Sequence, residues 1–240
     1  MSSLNKFFES VQNLQIFLDK WSVPFDKRCE DSSDNQIRAA YYLWVMYSLS
    51  ILAIRILCNT EFLPVLFVIS RSCLEFDASL KAVLEDKKIA ESYIEYEKHA
   101  LCSYYKYLQD TKNIPRAKEV KNKMDQMGVC NPGQFKNKKW YPKGYSSLVE
   151  KYLGAEGKIL YSLSSDFVHG SIATFRFLKN NPPPQDSWIY RIIAVTYNGY
   201  IISTRSFLDK AWESNTTHDG KACMDDFVQV AKVLVNNENL

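Results

Sequence analysis

The sequence has few of the residues that make turns, with only 8 Gly and 8 Pro among 240 residues. An all-β sandwich or barrel needs a turn about every 8–12 residues, so this scarcity argues against one. No Gly-rich loop follows a strand-like segment, which argues against a doubly wound nucleotide-binding fold. Disorder is excluded by the 46% of hydrophobic residues, among them 15 Tyr and 13 Phe.

Metal-binding and secretory features are also absent. The six cysteines form no C-x-x-C pair, and no His or Cys spacing typical of a metal site is present. No secretory signal opens the sequence, so we expect reduced thiols, a cytoplasmic location, no cofactor and no metal. Residues 39–54 carry no charge, but the segment is short for a membrane span and contains three Tyr and two Ser. It therefore favours a buried core helix and no membrane contact.

Helical periodicity runs through most of the chain. It predicts an all-α fold, a single helical bundle of about seven to nine helices over the whole chain. N-terminal helices are expected in residues 1–60, a core in 62–178 and C-terminal helices in 187–240. The long helices at 36–58 and 187–213 have apolar residues on more than one side, so we expect them at the centre of the bundle.

Two interruptions of the helical pattern are predicted. Residues 24–35 are expected to form a polar loop after the first amphipathic helix. Ser147 and Glu150 have the spacing of a capping box, which would begin a short helix ending at Gly154. A further helix is expected to follow at 155–169.

Basic residues are concentrated in one part of the chain. Residues 112–143 hold nine Lys or Arg and two acidic residues, a net charge of +7, whereas the rest of the chain carries −4.

An irregular basic insertion is expected at 129–145, where lysines alternate with aromatic residues. Lysines contact phosphate and aromatic rings stack on bases, so this insertion is a candidate site for single-stranded RNA. The alternative is a solvated loop whose aromatic rings anchor it to the bundle. The candidate RNA-binding residues are Lys136, Lys138, Lys139, Trp140, Tyr141 and Lys143.

Charged residues also interrupt an apolar helix. Arg71 and Glu75 are four residues apart and therefore neighbours on one helix face, next to Phe67, Leu74 and Ala78. Burying charge is costly unless the charge is paired. The pair is either part of a functional site or a structural ion pair that joins two helices.

A second polar group lies at the predicted end of a helix. Ser165 and Asp166 precede His169 by about one turn, and Gly170 follows it. The helix dipole favours a cationic histidine at this end, and Asp166 could orient its ring. We place Asp166 and His169 in the candidate site, the alternative being a histidine that only caps the helix.

Two motifs stand about ninety residues apart: R-x-x-x-E from Arg71 to Glu75 and Y-x-x-S-x-x-x-x-H-G from Tyr161 to Gly170. Together they resemble the family catalogued as domain of unknown function 5677, over residues 62–178. That family is helical and distantly similar to the HEPN superfamily of small helical bundles, so the resemblance implies a HEPN-like core. HEPN proteins are often metal-independent RNases of toxin–antitoxin and phage-defence systems, and commonly act as dimers.

The resemblance therefore implies a metal-independent RNase or a toxin- or phage-defence-type effector. Its implied partners are RNA, a partner protein of the same system and a second copy of the chain. His169 would be the base or acid, Arg71 would hold the phosphate, Glu75 would hold Arg71 or orient the imidazole, and Tyr161 and Ser164 would donate hydrogen bonds. No Arg precedes a His by the four to six residues of the HEPN nuclease signature, so Arg71 would act from a different helix. The alternative is a non-catalytic interaction or ligand-sensing helical module that uses the same pocket.

Overall fold

Eight α-helices make up the computed structural model, which describes residues 3–30, 32–57, 63–126, 128–129, 140–141, 143–169, 185–212 and 218–235. They are α1 (Ser3–Phe25), α2 (Asn35–Leu57), α3 (Leu63–Glu85), α4 (Lys87–Asp110), α5 (Ile114–Gln126), α6 (Gly144–Val168), α7 (Gln185–Ala211) and α8 (His218–Val235). No strand occurs in these ranges, and the predicted all-α fold is confirmed.

Helices α2 and α7 form the centre of the bundle, as their apolar residues predict. Trp44, Tyr47 and Ile51 of α2 are buried, as are Tyr197 and Phe207 of α7. Helix α2 packs against α3, α4 and α7. Within the described ranges it is also the one helix that has the length and hydropathy to cross a membrane. In the bundle, ten of its residues are buried.

Helix α3 is fixed against α7 by a buried carboxylate. Asp77 accepts a hydrogen bond from Ser203 of α7 and lies 3.1 Å from the Lys81 ammonium. Burial raises the pKa of Asp77, while Lys81 and Ser203 act in the opposite direction by favouring its charged form. Gly199 permits this approach, because a Cβ at that position would lie 2.4 Å from the Asp77 Oδ2. The helix that carries Arg71 and Glu75 is thereby held in a defined position.

The predicted loop at 24–35 is wrong in its first half. Helix α1 continues to Phe25, and Asp26–Glu30 form a π-helical turn. Phe25 is fully buried, and the Arg28 Nε donates to the carbonyl of Ala211 at the end of α7 (2.6 Å). These tertiary contacts outweigh the polar composition, because the Phe25 ring gains burial that a solvated loop would not provide.

The predicted capping box is also wrong. Helix α6 begins at Gly144, so Ser147 lies inside the helix and not at its cap. Gly144 has a φ of +74°, a conformation that glycine adopts easily, and this turn starts the helix early. The predicted break at Gly154 is confirmed, since its φ of 66° and ψ of −161° interrupt α6.

A second, smaller hydrophobic core lies between α4 and α5. Within the described ranges, α5 packs against α4 and makes no comparable contact with another helix. This small core is distant in sequence from the residues predicted to form a site. Its buried residues are Cys102, Leu108, Ala117, Val120, Met124 and Val129.

Candidate functional site

Helix α3 and the part of α6 that follows the break at Gly154 run antiparallel and carry the predicted polar residues. Later residues of this part of α6 meet earlier residues of α3: Tyr161 bonds to Glu75 (3.0 Å), and Ser164 bonds to Ser70 (3.0 Å). Lys151, which precedes the break, lies 3.6 Å from Glu85.

Arg71, Glu75 and Tyr161 form a group that we call the polar cluster. The Arg71 Nε donates to the Oε1 of Glu75 over 3.1 Å, and the Tyr161 hydroxyl donates to the same oxygen over 3.0 Å. The Arg71 guanidinium also lies over the Tyr161 ring, with its central carbon 5.4 Å from the ring centroid. The side chains of Arg71 and Glu75 are only 21% and 22% exposed. The cluster is closed, because both charges and the hydroxyl have partners.

The electrostatics of the polar cluster agree with this geometry. Burial raises the pKa of Tyr161, and the charge of Glu75 adds to that effect, while Arg71 opposes it. Burial works against the charged form of Arg71, but Tyr161 and Glu75 outweigh it and raise the pKa of the guanidinium. Tyr161 therefore remains a protonated hydrogen-bond donor near neutral pH.

Ser164 is fully buried and joins α6 to α3. Its Oγ lies 3.0 Å from the Oγ of Ser70, and Ser70 in turn donates to the Phe67 carbonyl over 2.9 Å. Since the Ser70 proton is directed at Phe67, Ser164 is the donor in the Ser164–Ser70 bond. The neighbouring Ser165 donates to the Tyr161 carbonyl within α6 (2.8 Å).

His169 lies at the C-terminal end of α6, outside the polar cluster. Its backbone N–H donates to the Ser165 carbonyl (2.9 Å), and its side chain is exposed. Continuing the antiparallel register places it opposite the turn of α3 before Arg71, about 7–8 Å from Arg71 along the helix axis. Among the described residues, no hydrogen bond or ion pair joins the His169 side chain to Arg71 or Glu75. Asp166 is likewise exposed on the last turn of α6.

A cavity of about 290 Å³ is formed where α4 meets the start of α6. Its lining is almost wholly aromatic, and we call it the aromatic pocket. It is lined by Tyr96, Trp140, Tyr141, Gly144 and Tyr145.

Trp140 fixes the walls of the aromatic pocket. It is only 5% exposed and meets Tyr93 edge-on, with ring centroids 5.3 Å apart and planes at 87°. Its Nε1 donates to the Tyr145 hydroxyl over 3.1 Å. Its plane is tilted by 55° to that of Tyr141 and by 66° to that of Tyr145. The rings thus form a box with steep walls and not a parallel slot.

Carboxylates lie close to the aromatic pocket. Burial raises the pKa of Tyr145, and the negative charges of Glu75 and Glu97 add to the shift. Glu97 has its own pKa raised by burial, while a hydrogen bond with Tyr93 and the charge of Lys123 on α5 oppose that rise. The polar cluster and the aromatic pocket are therefore neighbours, since Glu75 of the cluster acts on a ring of the pocket.

The predicted RNA-binding residues divide into two groups. Lys136, Lys138 and Lys139 lie outside the described residues. Of the others, Lys143 is exposed, Tyr141 is half-buried and Trp140 is buried, so the indole anchors this segment to the bundle. That arrangement matches the alternative predicted for these aromatic residues.

Sequence reasoning missed Tyr96 and Glu97 as parts of a site. Helix α4 is rich in tyrosine, and Tyr93, Tyr96 and Glu97 share one face by their three- and four-residue spacing. That spacing could have predicted that these three side chains lie on one face of α4. Its connection to Trp140 could not be deduced, because it depends on how α6 packs.

The buried cysteines offer no reactive group. Cys29, Cys73, Cys102 and Cys223 are unpaired and buried. Burial raises the pKa of both Cys29 and Cys223 to about 12, so these thiols stay protonated and poorly nucleophilic. Within the described ranges, no group of three or more His, Cys, Asp or Glu side chains is arranged to hold a metal ion.

The fold and the site define a class of protein: an all-α helical module with a closed ion-pair cluster beside an open aromatic pocket. Residues 38–185 match a family described as a family of unknown function, DUF5677, and the chain belongs to it. The matched region includes both the polar cluster and the aromatic pocket, and the resemblance predicted from the two motifs is confirmed. No curated protein and no solved structure matches the chain.

Proposed function

We propose that this protein is a non-catalytic, ligand-binding helical module whose binding site is the aromatic pocket. The observation that carries the proposal is the contrast between the two neighbouring groups. In the polar cluster, the charges of Arg71 and Glu75 pair with each other. The pocket beside it is a cavity of about 290 Å³ that is lined by four aromatic residues.

The polar cluster supports a structural role. Two donors already converge on one oxygen of Glu75, and the guanidinium of Arg71 covers the Tyr161 ring. The charge of Arg71 is thus already balanced by Glu75, and its guanidinium already covers an aromatic ring, before any substrate phosphate arrives. General acid–base chemistry also needs a group within about 3 Å of the transferred proton, and among the described residues no hydrogen bond or ion pair joins the His169 side chain to the cluster.

The aromatic pocket has the features of a small-molecule site. Such sites are concave, mostly apolar and shaped before the ligand arrives, with a few polar groups that orient the ligand. Here the Trp140–Tyr93 contact and the Trp140–Tyr145 hydrogen bond hold the walls in place. The hydroxyls of Tyr96 and Tyr141 and the nearby carboxylates are the available polar groups.

The test is saturation-transfer NMR with a fixed panel of adenosine, uridine, choline and 3,3-dimethyl-1-butanol. We expect at least one compound to bind the purified protein and to lose its signal in Tyr96→Ala. The matched control is Tyr107→Ala, which removes a tyrosine that is 61% exposed at the far end of the same helix. Binding that survives Tyr96→Ala, or no binding by any compound, would contradict the proposal.

A second candidate function is the metal-independent RNase of a toxin or phage-defence system, with a HEPN-like core. The observation that favours it is that His169 is exposed at the end of α6, on the same helix pair as Arg71. If Arg71 turned away from Glu75, its guanidinium could hold an RNA phosphate while His169 moved the 2′-OH proton. RNA would then be the partner, and a second copy of the chain could complete the site.

This second function predicts cleavage of single-stranded RNA in the presence of a metal chelator. His169→Ala should abolish the cleavage without lowering the melting temperature, and Lys143→Glu should weaken RNA binding and reduce its salt dependence. An intact RNA substrate after prolonged incubation with the wild-type protein would exclude the RNase and leave the ligand-binding module.

A further inference from the structure

We propose that the aromatic pocket recognises a methylated ammonium group, such as a quaternary ammonium on a small molecule or a methylated lysine. This inference rests on the proposed ligand-binding function and names the chemical class of the ligand. It follows from the ring geometry, the nearby charge and the lack of acceptors suited to a hydrated cation.

The angles between the rings favour a compact cation over a flat base. A nucleobase needs a parallel platform or slot on which its face can stack. The Trp140 plane instead meets those of Tyr141 and Tyr145 at 55° and 66°, and these three rings line one cavity together with Tyr96. A roughly spherical cation can contact several ring faces at once in such a box, and each face attracts it through the ring quadrupole.

Two carboxylates act on one wall of the aromatic pocket. Glu97 and Glu75 both act on Tyr145. The charge of Glu75 is shared with Arg71 at 3.1 Å, so its net field is reduced. Within the described ranges no Lys or Arg forms an ion pair with Glu97, although Lys123 acts on it at longer range. Glu97 bonds to Tyr93, whose ring contacts Trp140 of the pocket, and it is therefore the carboxylate assigned as the counter-charge of a bound cation.

Methylation is required because the pocket is apolar. A primary ammonium is a strongly hydrated point charge that needs acceptors for three N–H donors. Among the described residues no carboxylate lines the cavity, so its side-chain acceptors are tyrosine hydroxyls, of which that of Tyr145 already accepts from Trp140. Replacing the N–H groups by methyl groups removes the need for acceptors and keeps the positive charge that the rings attract.

The decisive comparison uses two compounds of nearly equal shape. Choline and its neutral isostere 3,3-dimethyl-1-butanol differ in the charge of the headgroup, and isothermal titration calorimetry measures both. We expect the isostere to bind at least about tenfold more weakly than choline, because it has no cation–π attraction. Glu97→Gln should weaken choline binding severalfold and leave the isostere unchanged, and Tyr107→Ala should change neither.

The outcomes separate this inference from the function on which it rests. Equal affinity for choline and the isostere, or binding of adenosine or uridine without choline, would overturn the cation assignment and leave a ligand-binding pocket. Absence of binding by every compound would overturn both. Glu97 is half-buried, and Glu97→Gln is a conservative change. This variant therefore still tests the cation assignment if Tyr96→Ala lowers the melting temperature.

A further arm distinguishes the two sources of the group. A short peptide with trimethyl-lysine is compared with the same peptide carrying unmodified lysine. Tighter binding of the methylated peptide than of choline assigns the source to a modified protein, and the reverse assigns it to a free small molecule. Equal binding of the methylated and unmodified peptides would contradict recognition of methylation.

Discussion

In the polar cluster, one oxygen of Glu75 accepts hydrogen bonds from Arg71 and Tyr161, and the guanidinium lies on the Tyr161 ring. In the aromatic pocket, the rings hold one another at steep angles and enclose about 290 Å³. In the polar cluster the charges and the hydroxyl are paired with one another, whereas the aromatic pocket has ring surface that a ligand can contact. Charged residues in this apolar helix therefore mark where two helices are joined, and the proposed binding surface lies beside them.

The largest effect is expected from breaking the polar cluster. Glu75→Ala leaves the largely buried Arg71 unpaired and the Tyr161 hydroxyl without its acceptor, which should destabilise the protein by about 2–3 kcal/mol. Urea unfolding measures the change. The matched control is Glu119→Ala, which removes an exposed ion-pair partner of Arg116 on α5 and should leave the midpoint unchanged. Equal effects of the two variants would mean that the polar cluster contributes no more than a surface pair.

A smaller effect is expected when only one contact of the cluster is removed. Tyr161→Phe keeps the ring under the Arg71 guanidinium and removes the hydrogen bond to Glu75, at a cost of about 1 kcal/mol. Ligand affinity of the aromatic pocket should stay within about twofold of wild type, because the rings of the pocket are untouched. A large loss of affinity in this variant would show that the cluster and the pocket act as one site.

The smallest effect is expected at the end of α6. His169→Ala changes an exposed side chain and should alter the free energy of unfolding by less than about 0.5 kcal/mol. The measurement is again urea unfolding, beside Glu75→Ala. A loss of stability comparable to that of Glu75→Ala would mean that the imidazole contacts the polar cluster. That result would favour the RNase over the ligand-binding module.

Local spacing was sufficient to predict several parts of the molecule. The four-residue spacing of Arg71 and Glu75 predicted a pair on one helix face, and the ion pair is present. Gly154 was predicted to end a short helix, and its φ of 66° interrupts α6 at that position. These features depend on residues within one or two turns of each other.

Features that depend on tertiary packing were not predictable from the sequence. Asp26–Glu30 are polar in composition, yet the burial of Phe25 and the Arg28–Ala211 contact order them as a helical turn. The aromatic pocket joins α4 to residues about fifty positions later, through the edge-on contact of Tyr93 with Trp140. No periodicity encodes such a contact. Tyr161 was expected at the site only through the family resemblance, because its hydrogen bond to Glu75 depends on how α6 packs on α3.

We propose that the aromatic pocket binds the ligand and that the polar cluster stabilises the fold. The most direct test of this claim is the rise in melting temperature caused by the compound of the NMR panel with the strongest signal, in wild type, Tyr161→Phe and Tyr96→Ala. A ligand that binds only the folded state raises stability by about 2.7 kcal/mol at a hundred times its Kd. We predict the same rise in wild type and Tyr161→Phe, and none in Tyr96→Ala. A rise that persists in Tyr96→Ala and disappears in Tyr161→Phe would contradict the claim.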